Sequence, residues 1–170
     1  VSPGKYLILF TGSVEDVGSA LRRGQEVAAD TLLDSLFIPN LEPTLLALMQ
    51  GRRPSALTLA AVGVIETFSV ASTIRAADIA SKTASLRLVG LRLAEGIGGK
   101  SYVTFTGEVG DVEVAVEAGA GQAQAAGLLV RRGLGVFVIE MWAGPAVALL
   151  TLVALLLMRA GDLSTVLPLA

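Results

Sequence analysis

Hydrophobic and polar positions follow two different periods along the middle of the chain. Short apolar or alternating runs, typical of strands, are separated by stretches in which apolar residues recur three to four positions apart, as in helices. The pattern predicts six elements in the order strand, helix, strand, strand, helix, strand: Leu59–Glu66, Val70–Ala84, Leu86–Leu93, Ser101–Thr106, Val109–Ala126 and Gly127–Arg132. This order is the split βαβ arrangement of a ferredoxin-like α+β unit.

Part of this pattern occurs twice. Gly4–Gly24 (GKYLILFTGSVEDVGSALRRG) aligns without a gap to Gly99–Gly119 (GKSYVTFTGEVGDVEVAVEAG), 95 residues further on, with ten identical positions. Phe10 and Phe105 are one identical pair, and Gly24 and Gly119 are another. An internal repeat of this length indicates two copies of one structural unit.

The N-terminal copy therefore predicts a buried strand over Lys5–Thr11 and a helix that begins at Ser13 or Gly12 and runs to about Asp30. A strand over Leu32–Ile38 and a short helix over Leu41–Met49 follow. Gln50–Ser55 has the composition of a linker.

The C-terminal third supplies a further strand, helix and strand. Gly133–Gly135 predicts a tight turn, and Val136–Glu140 (VFVIE) then echoes Val62–Glu66 (VGVIE). A helix over Pro145–Arg159 and a strand over Leu163–Leu169 complete the piece. Joined end to start, the two terminal pieces would form a second βαββαβ unit, as in a tandem repeat whose first copy is cut open and rotated. The predicted domains are residues 1–51 and 136–170 as the two halves of domain A, and residues 56–132 as domain B.

One helix in the C-terminal third has almost no polar face. Met141–Met158 is apolar apart from Thr151, which raises a membrane anchor as an alternative. The helix from Pro145 to Met158 is about 21 Å long at 1.5 Å per residue, short of a bilayer core of ~30 Å. We therefore expect a helix that is buried or covered by a subunit.

Composition removes several classes of function. The 170 residues include no Cys and no His, the commonest metal ligands and the commonest general base. A formal net charge of −2 and 5% aromatic residues give no case for nucleic acid. With 53% hydrophobic residues, the chain favours assembly or membrane contact. We expect no enzyme, no catalytic residue and no metal, and Glu66 and Glu140 are interpreted as structural acids.

The motifs of domain B resemble those of a known family. Ile65–Thr67 ends a strand, Ala76–Asp78 and Lys82 lie on the following helix, Gly98–Lys100 follows a Gly-rich loop, and Gly107–Val112 opens the next helix. In this combination and order they resemble the bacterial microcompartment shell-protein domain. The whole chain is similar to the tandem-domain class of that family, of the propanediol-utilisation type.

The resemblance implies a homotrimer with six domains in a pseudohexagonal ring, which tiles with other shell proteins into a microcompartment shell in the cytoplasm and encloses enzymes. It implies Lys82 and Arg159 as edge contacts between trimers. It also implies a central pore for small metabolites, lined by Glu95, Gly96, Ile97, Gly98, Gly99, Leu169, Ala170, Val1, Ser2 and Pro3. In the propanediol type this loop carries a Cys that binds an iron–sulfur cluster; Ser2 stands there instead, so no cofactor is expected.

Other interpretations of the same residues stay open. Lys82, which marks the wet face of its helix with Arg75 and Asp78, could be a solvated charge at the helix end. The glycines at residues 96–99 could form only a tight hairpin connection. Ferredoxin-like units also build ring-shaped ligand-binding or regulatory trimers, which is the alternative function. The rotated order has two possible origins, an engineered circular permutation or an unusual natural sequence.

Overall fold

The structure is a computed structural model, and it describes residues 6–52, 60–94 and 96–136. The chain divides into two compact units, residues 1–136 and 137–170. The predicted strand Val136–Glu140 lies outside the described residues apart from Val136, and the predicted elements after it lie wholly outside them. All described residues belong to the first unit.

The described elements are four α-helices, one 3-10 turn and four strands, with two of the helices before the first strand. In chain order they are α1 (Val14–Ala28), a 3-10 turn (Ala29–Thr31), α2 (Pro43–Met49), β1 (Ala61–Thr67), α3 (Val70–Thr83), β2 (Leu86–Leu93), β3 (Ser101–Gly107), α4 (Val109–Ala125) and β4 (Leu129–Val136). From β1 to β4 the order is βαββαβ. The predicted α+β unit is confirmed for this copy, with most element ends within two residues of the prediction.

The four strands form one antiparallel sheet in the order β2-β3-β1-β4. β1 is therefore a central strand, paired with β3 on one side and β4 on the other. Gly63 of β1, for example, is the register partner of Phe105 on β3 and of Leu134 on β4. β4 pairs only with β1, whereas β3 pairs with both β1 and β2.

The core lies between the sheet and helices α3 and α4. Alternate residues of β1 and β3, including Ile65, Val103 and Phe105, are fully buried on the helix side. Glycine permits two close approaches in this core. A Cβ on Gly63 would lie 2.4 Å from Cε2 of Phe105, and a Cβ on Gly119 would lie 2.7 Å from the carbonyl oxygen of Ala76. The absence of these two side chains lets Phe105 fill the space above β1 and lets α4 approach α3.

Helix α1 begins where the repeat predicts it. Ser13 is its N-cap and accepts the backbone N–H of Asp16 at 3.1 Å, the standard way of satisfying a free amide in the first turn. No residue of α1 is buried. Val14 and Val27 are 58% and 70% exposed, although Val14, Val17 and Ala20 are identical to the aligned residues of α4.

The strand predicted over Lys5–Thr11 is not present among its described residues 6–11. This stretch has no ladder partner in the described chain, and Tyr6 and Ile8 are largely exposed. It aligns with β3, which pairs with β1 and β2 in the complete unit. The described N-terminal copy contains no equivalent of β1 or β2, which gives a physical reason for the missing strand.

Residues 32–42, here called the connecting segment, also differ from the prediction. The strand expected over Leu32–Ile38 is absent, and the segment instead runs from the first turn of α3 to its last turn. Asp34 accepts a hydrogen bond from Ser69, the N-cap of α3, and Asn40 accepts one from Lys82 near the other end. Leu36, Ile38 and Leu41 pack against the core, so the segment lies on the complete unit.

The short helix predicted over Leu41–Met49 is confirmed as α2. Glu42 caps it by accepting the N–H of Thr44 at 3.2 Å, and Pro43 occupies the first turn, where its missing N–H costs nothing. Leu45 is fully buried and belongs to the same core cluster as Phe105. The N-terminal region thus contributes directly to the core of the second copy.

The tight turn predicted at Gly133–Gly135 is wrong. β4 continues through these residues to Val136 and stays in register with β1, with Gly133 opposite Val64 and Gly135 opposite Val62. Two glycines in one short stretch suggested a turn, but pairing with a well-buried central strand holds them extended. The unit predicted to end at residue 132 therefore extends at least to Val136.

Candidate pore loop and assembly edge

The candidate pore loop connects β2 to β3 and is built on left-handed backbone conformations. Ala94 (φ 59°), Gly96 (φ 68°), Gly98 (φ 65°) and Gly99 (φ 83°) all have positive φ, which glycine adopts without the steric cost that a Cβ brings. Two hydrogen bonds close the loop. The N–H of Ala94 donates to Oγ of Ser101 at 3.1 Å, and the N–H of Lys100 donates to the carbonyl of Ile97 at 3.3 Å.

The tip of this loop is open while its base is packed. Gly96 and Gly98 are exposed, and a Cβ on Gly98 would meet no atom within 4 Å. Ala94 and Gly99 are buried. The loop therefore presents backbone to solvent at its tip, held by a rigid base, and small groups there leave room for another molecule.

Two cations accompany the loop. Nη2 of Arg92 lies 3.3 Å from the position that a Cβ on Gly96 would take. The ammonium of Lys100 lies 5.9 Å from the centre of the Phe68 ring, within the range of a cation–π contact. Two basic residues therefore flank the loop, one at the end of β2 and one just before β3.

The structure brings together four of the ten predicted pore residues. Gly96, Ile97, Gly98 and Gly99 form the loop described above. The other six lie outside the described residues: Glu95, Leu169, Ala170, Val1, Ser2 and Pro3. Among the predicted edge residues, Arg159 also lies outside them, and Lys82 is described.

Lys82 lies in the last turn of α3 and has two acceptors. Its ammonium is 2.7 Å from Oδ2 of Asp78, one helical turn earlier, and it also donates to the carbonyl oxygen of Asn40. The side chain of Lys82 remains 42% exposed. It is therefore held at a defined place on the surface, unlike a simple solvated charge.

Asp78 was expected on the wet face of α3, and this expectation is wrong. The residue is only 7% exposed, because the connecting segment covers it. Its Oδ1 accepts the backbone N–H of Glu42 at 3.0 Å while Oδ2 binds Lys82. Helical periodicity alone could not reveal this, although the four-residue spacing of Asp78 and Lys82 is the spacing at which a helix pairs opposite charges.

Polar residues also fix the start of α3. Thr67 donates from Oγ1 to the carbonyl of Ser69 at 2.7 Å, and the hydroxyls of Thr67 and Thr73 are 2.7 Å apart. Thr67 and Thr73 are both fully buried. The Ile65–Thr67 motif therefore has a structural role, since it locks the turn from β1 into α3.

Glu66 lies in the middle of the sheet, on the face away from the helices. Its register partners are Tyr102 on β3 and Arg131 on β4. Glu140, the other acid of the predicted pair, lies outside the described residues. In residues 6–52, 60–94 and 96–136, no group of His, Cys, Asp and Glu side chains could hold a metal ion.

Within the same described ranges, no helix is both long enough and apolar enough to cross a membrane. Met141–Met158, the segment for which a membrane anchor was considered, is not among these residues.

Comparison with known proteins agrees with the fold and the motifs. Residues 61–139 match the model of the BMC domain. The chain is 41% identical over 134 residues to the bacterial microcompartment shell protein PduT of Citrobacter freundii, covering 79% of this chain and 72% of that protein. It is 44% identical over 66 residues to the carboxysome shell protein CsoS1C of Halothiobacillus neapolitanus, covering 39% of this chain and 65% of that protein.

A solved structure supports the same relationship. The crystal structure of a microcompartment protein from Desulfitobacterium hafniense DCB superimposes with a TM-score of 0.66 at 43% sequence identity, covering 74% of this chain and 69% of that one. The fold and its motifs thus define a BMC-domain protein. The chain belongs to the bacterial microcompartment shell proteins, and it is a structural protein, not an enzyme.

Proposed function

We propose that this chain is a tandem-domain shell tile, which assembles as a homotrimer of six BMC domains and joins other shell proteins in a microcompartment shell. The observation that carries the proposal is the repeat of residues 4–24 at residues 99–119. The 134 residues aligned with PduT exceed the matched domain, residues 61–139, so the similarity extends beyond one domain. Six domains in a ring then require three chains.

The centre of the ring is the proposed pore, lined by residues 95–99 of one domain and by residues 167–170 and 1–4 of the other. The exposed glycine tip of the described loop supports this role, because it offers space and backbone N–H groups in place of bulky side chains. The same loop suits the passage of small polar metabolites, and its backbone N–H groups would favour anions among them. Lys82 and Arg159 are the proposed contacts between neighbouring tiles.

Assembly in the absence of other proteins tests this function. Purified chain, concentrated at low salt and viewed by negative-stain microscopy, should give flat sheets, tubes or closed particles with a hexagonal lattice. Lys82→Ala should remove the lattice and leave single rings, and Arg75→Ala, on the same helix, serves as the control. Wild-type protein that stays dispersed at every concentration would contradict the shell function.

Domain A requires a strand, a helix and a strand equivalent to β1, α3 and β2. In the rotated tandem, the piece predicted as residues 136–170 would supply them. Because β4 of domain B includes Val136, that piece would begin after this residue.

A further inference from the structure

The exposed ammonium of Lys82 is held by groups from two different regions of the chain. Asp78, on the same helix, contributes Oδ2 at 2.7 Å, and Asn40, in the connecting segment, contributes its carbonyl oxygen. Asp78 is also tied to the connecting segment by its second oxygen, which accepts the N–H of Glu42 at 3.0 Å. The buried carboxylate of Asp78 thus binds the ammonium of Lys82 and also holds the connecting segment, whose Asn40 carbonyl is the second acceptor for that ammonium.

These contacts reduce the freedom of a side chain that is ordinarily very mobile. A lysine side chain loses rotamer entropy when it is fixed. In Lys82, contacts within its own chain already restrict the side chain before a neighbouring tile binds. The described contacts engage two of the three N–H groups of the ammonium, and the third remains for an oxygen acceptor on another molecule.

We propose that Asp78 is the positioning residue for the edge contact of Lys82, and that the connecting segment makes the edge of domain B depend on the N-terminal region. The inference rests on the proposed function, because it takes Lys82 as a contact between tiles. Its expected partner is a backbone carbonyl or carboxylate oxygen on the adjacent tile. A displaced connecting segment would remove the Asn40 acceptor and the lysine would lose its fixed position.

One substitution separates the two roles of Asp78, which are to position Lys82 and to attach the connecting segment to α3. Asp78→Asn keeps an oxygen that can accept the N–H of Glu42, and it removes the negative charge that faces Lys82. The attachment of the connecting segment should therefore survive while the hold on the ammonium weakens. Asp30→Asn removes the same charge from an exposed site on the 3-10 turn and is the matched control.

The first measurement reports on the position of the lysine alone. The unassembled full chain is labelled briefly with an amine-reactive ester, and mass spectrometry compares Lys82 with Lys100 in the same molecule. In Asp78→Asn the labelling rate of Lys82 relative to Lys100 should rise roughly threefold to tenfold, the effect of losing a charge-assisted hydrogen bond. An unchanged ratio, equal to that of Asp30→Asn, would overturn the inference.

The second measurement concerns assembly and stability, in the wild type, Asp78→Asn, Asp30→Asn and Lys82→Ala. Sheet formation should fall in Asp78→Asn and be lost in Lys82→Ala, while the unfolding midpoint of unassembled Asp78→Asn stays equal to that of Asp30→Asn. Undiminished sheet formation in Asp78→Asn, or a fall that is accompanied by a lowered unfolding midpoint, would overturn the inference. Wild-type chain that forms no sheets would contradict the proposed function and the edge role together, whereas the labelling ratio would still report on the positioning.

Discussion

The two copies of the repeat have similar sequences and different environments. In the second copy, α4 buries Val112, Ala115 and Ala120 against the sheet and α3. In the first copy, α1 begins at the equivalent residue and buries none of its residues. Phe105 is fully buried, and its equivalent Phe10 is 48% exposed.

This difference shows which part of the unit depends on its neighbours. A helix closes its hydrogen bonds within itself, so α1 forms without a sheet beneath it. A strand needs a partner, and in this topology β3 pairs with β1 and β2 while β4 pairs with β1. The first copy therefore keeps its helix, and its strand equivalents at residues 6–11 and 32–38 have no ladder partner in the described part of the chain.

The largest expected effect separates the two equivalent phenylalanines. Phe105→Ala should destabilise the protein by about 3–5 kcal/mol, because it opens a cavity beside Gly63 in the core. Phe10→Ala should cost less than about 1 kcal/mol in isolated chains, since half of the ring is already exposed. Urea unfolding followed by circular dichroism measures both, and equal costs would mean that the two copies have similar environments.

The next effect tests whether the N-terminal region is anchored on domain B. Leu45→Ala should cost about 2–4 kcal/mol, because Leu45 of α2 is fully buried in the core. Leu46→Ala, next to it on the same helix and 45% exposed, is the control. If both substitutions leave the unfolding midpoint unchanged, α2 does not contribute to that core in solution.

Gly24 and Gly119 occupy equivalent positions in the two copies. The effect of adding a Cβ at each position depends on whether another helix packs closely there. Gly119→Ala should cost about 1–3 kcal/mol, since its Cβ would lie 2.7 Å from the Ala76 carbonyl and from Cδ1 of Ile65. For Gly24→Ala the nearest atom is Cζ of Phe10, at 4.0 Å. An uncovered α1 should gain up to about 1 kcal/mol from the better helix former.

The same glycine pair reports on domain A after assembly. If domain A is completed in the trimer, Gly24→Ala should destabilise the assembled form as Gly119→Ala does, with a matching fall in thermal midpoint. If Gly24→Ala still raises the thermal midpoint of the assembled form, no helix packs on α1 in the trimer, and domain A is not completed there.

The smallest expected effect concerns the exposed end of the connecting segment. Asp34→Ala removes the acceptor for Ser69, and Ser69 itself still caps α3 through the N–H of Ser72 at 3.0 Å. The cost should be only about 0.5–1 kcal/mol, visible as faster amide exchange in the first turn of α3. Ser69→Ala should cost more, because it removes the cap as well. Equal exchange rates in Asp34→Ala and the wild type would exclude a stabilising contact.

The sequence was sufficient for local elements and for the family. Ser13 and the apolar spacing that follows it predicted α1, and the alternation of Leu86–Leu93 predicted β2 with the bounds that it has in the structure. The Gly-rich loop at residues 96–99 was placed between the correct strands. In these cases the signal lies within a few neighbouring residues.

The remaining features depend on contacts between distant residues. The burial of Asp78 arises from the connecting segment, 36 residues away from it at Glu42, and no periodicity in α3 encodes it. The extended path of Gly133–Gly135 arises from pairing with β1, which outweighs the turn tendency of glycine. The missing strands of the first copy also depend on distant residues, because their equivalents in the second copy, β3 and β4, form only by pairing with β1 and β2.

The number of chains in one ring tests the account most directly. Native mass spectrometry combined with class averages from electron microscopy gives the mass and the symmetry of the same particle. The account predicts three chains in a ring with threefold symmetry and a sixfold outline. A stable monomer, or a ring of six chains with true sixfold symmetry, would contradict two BMC domains in each chain.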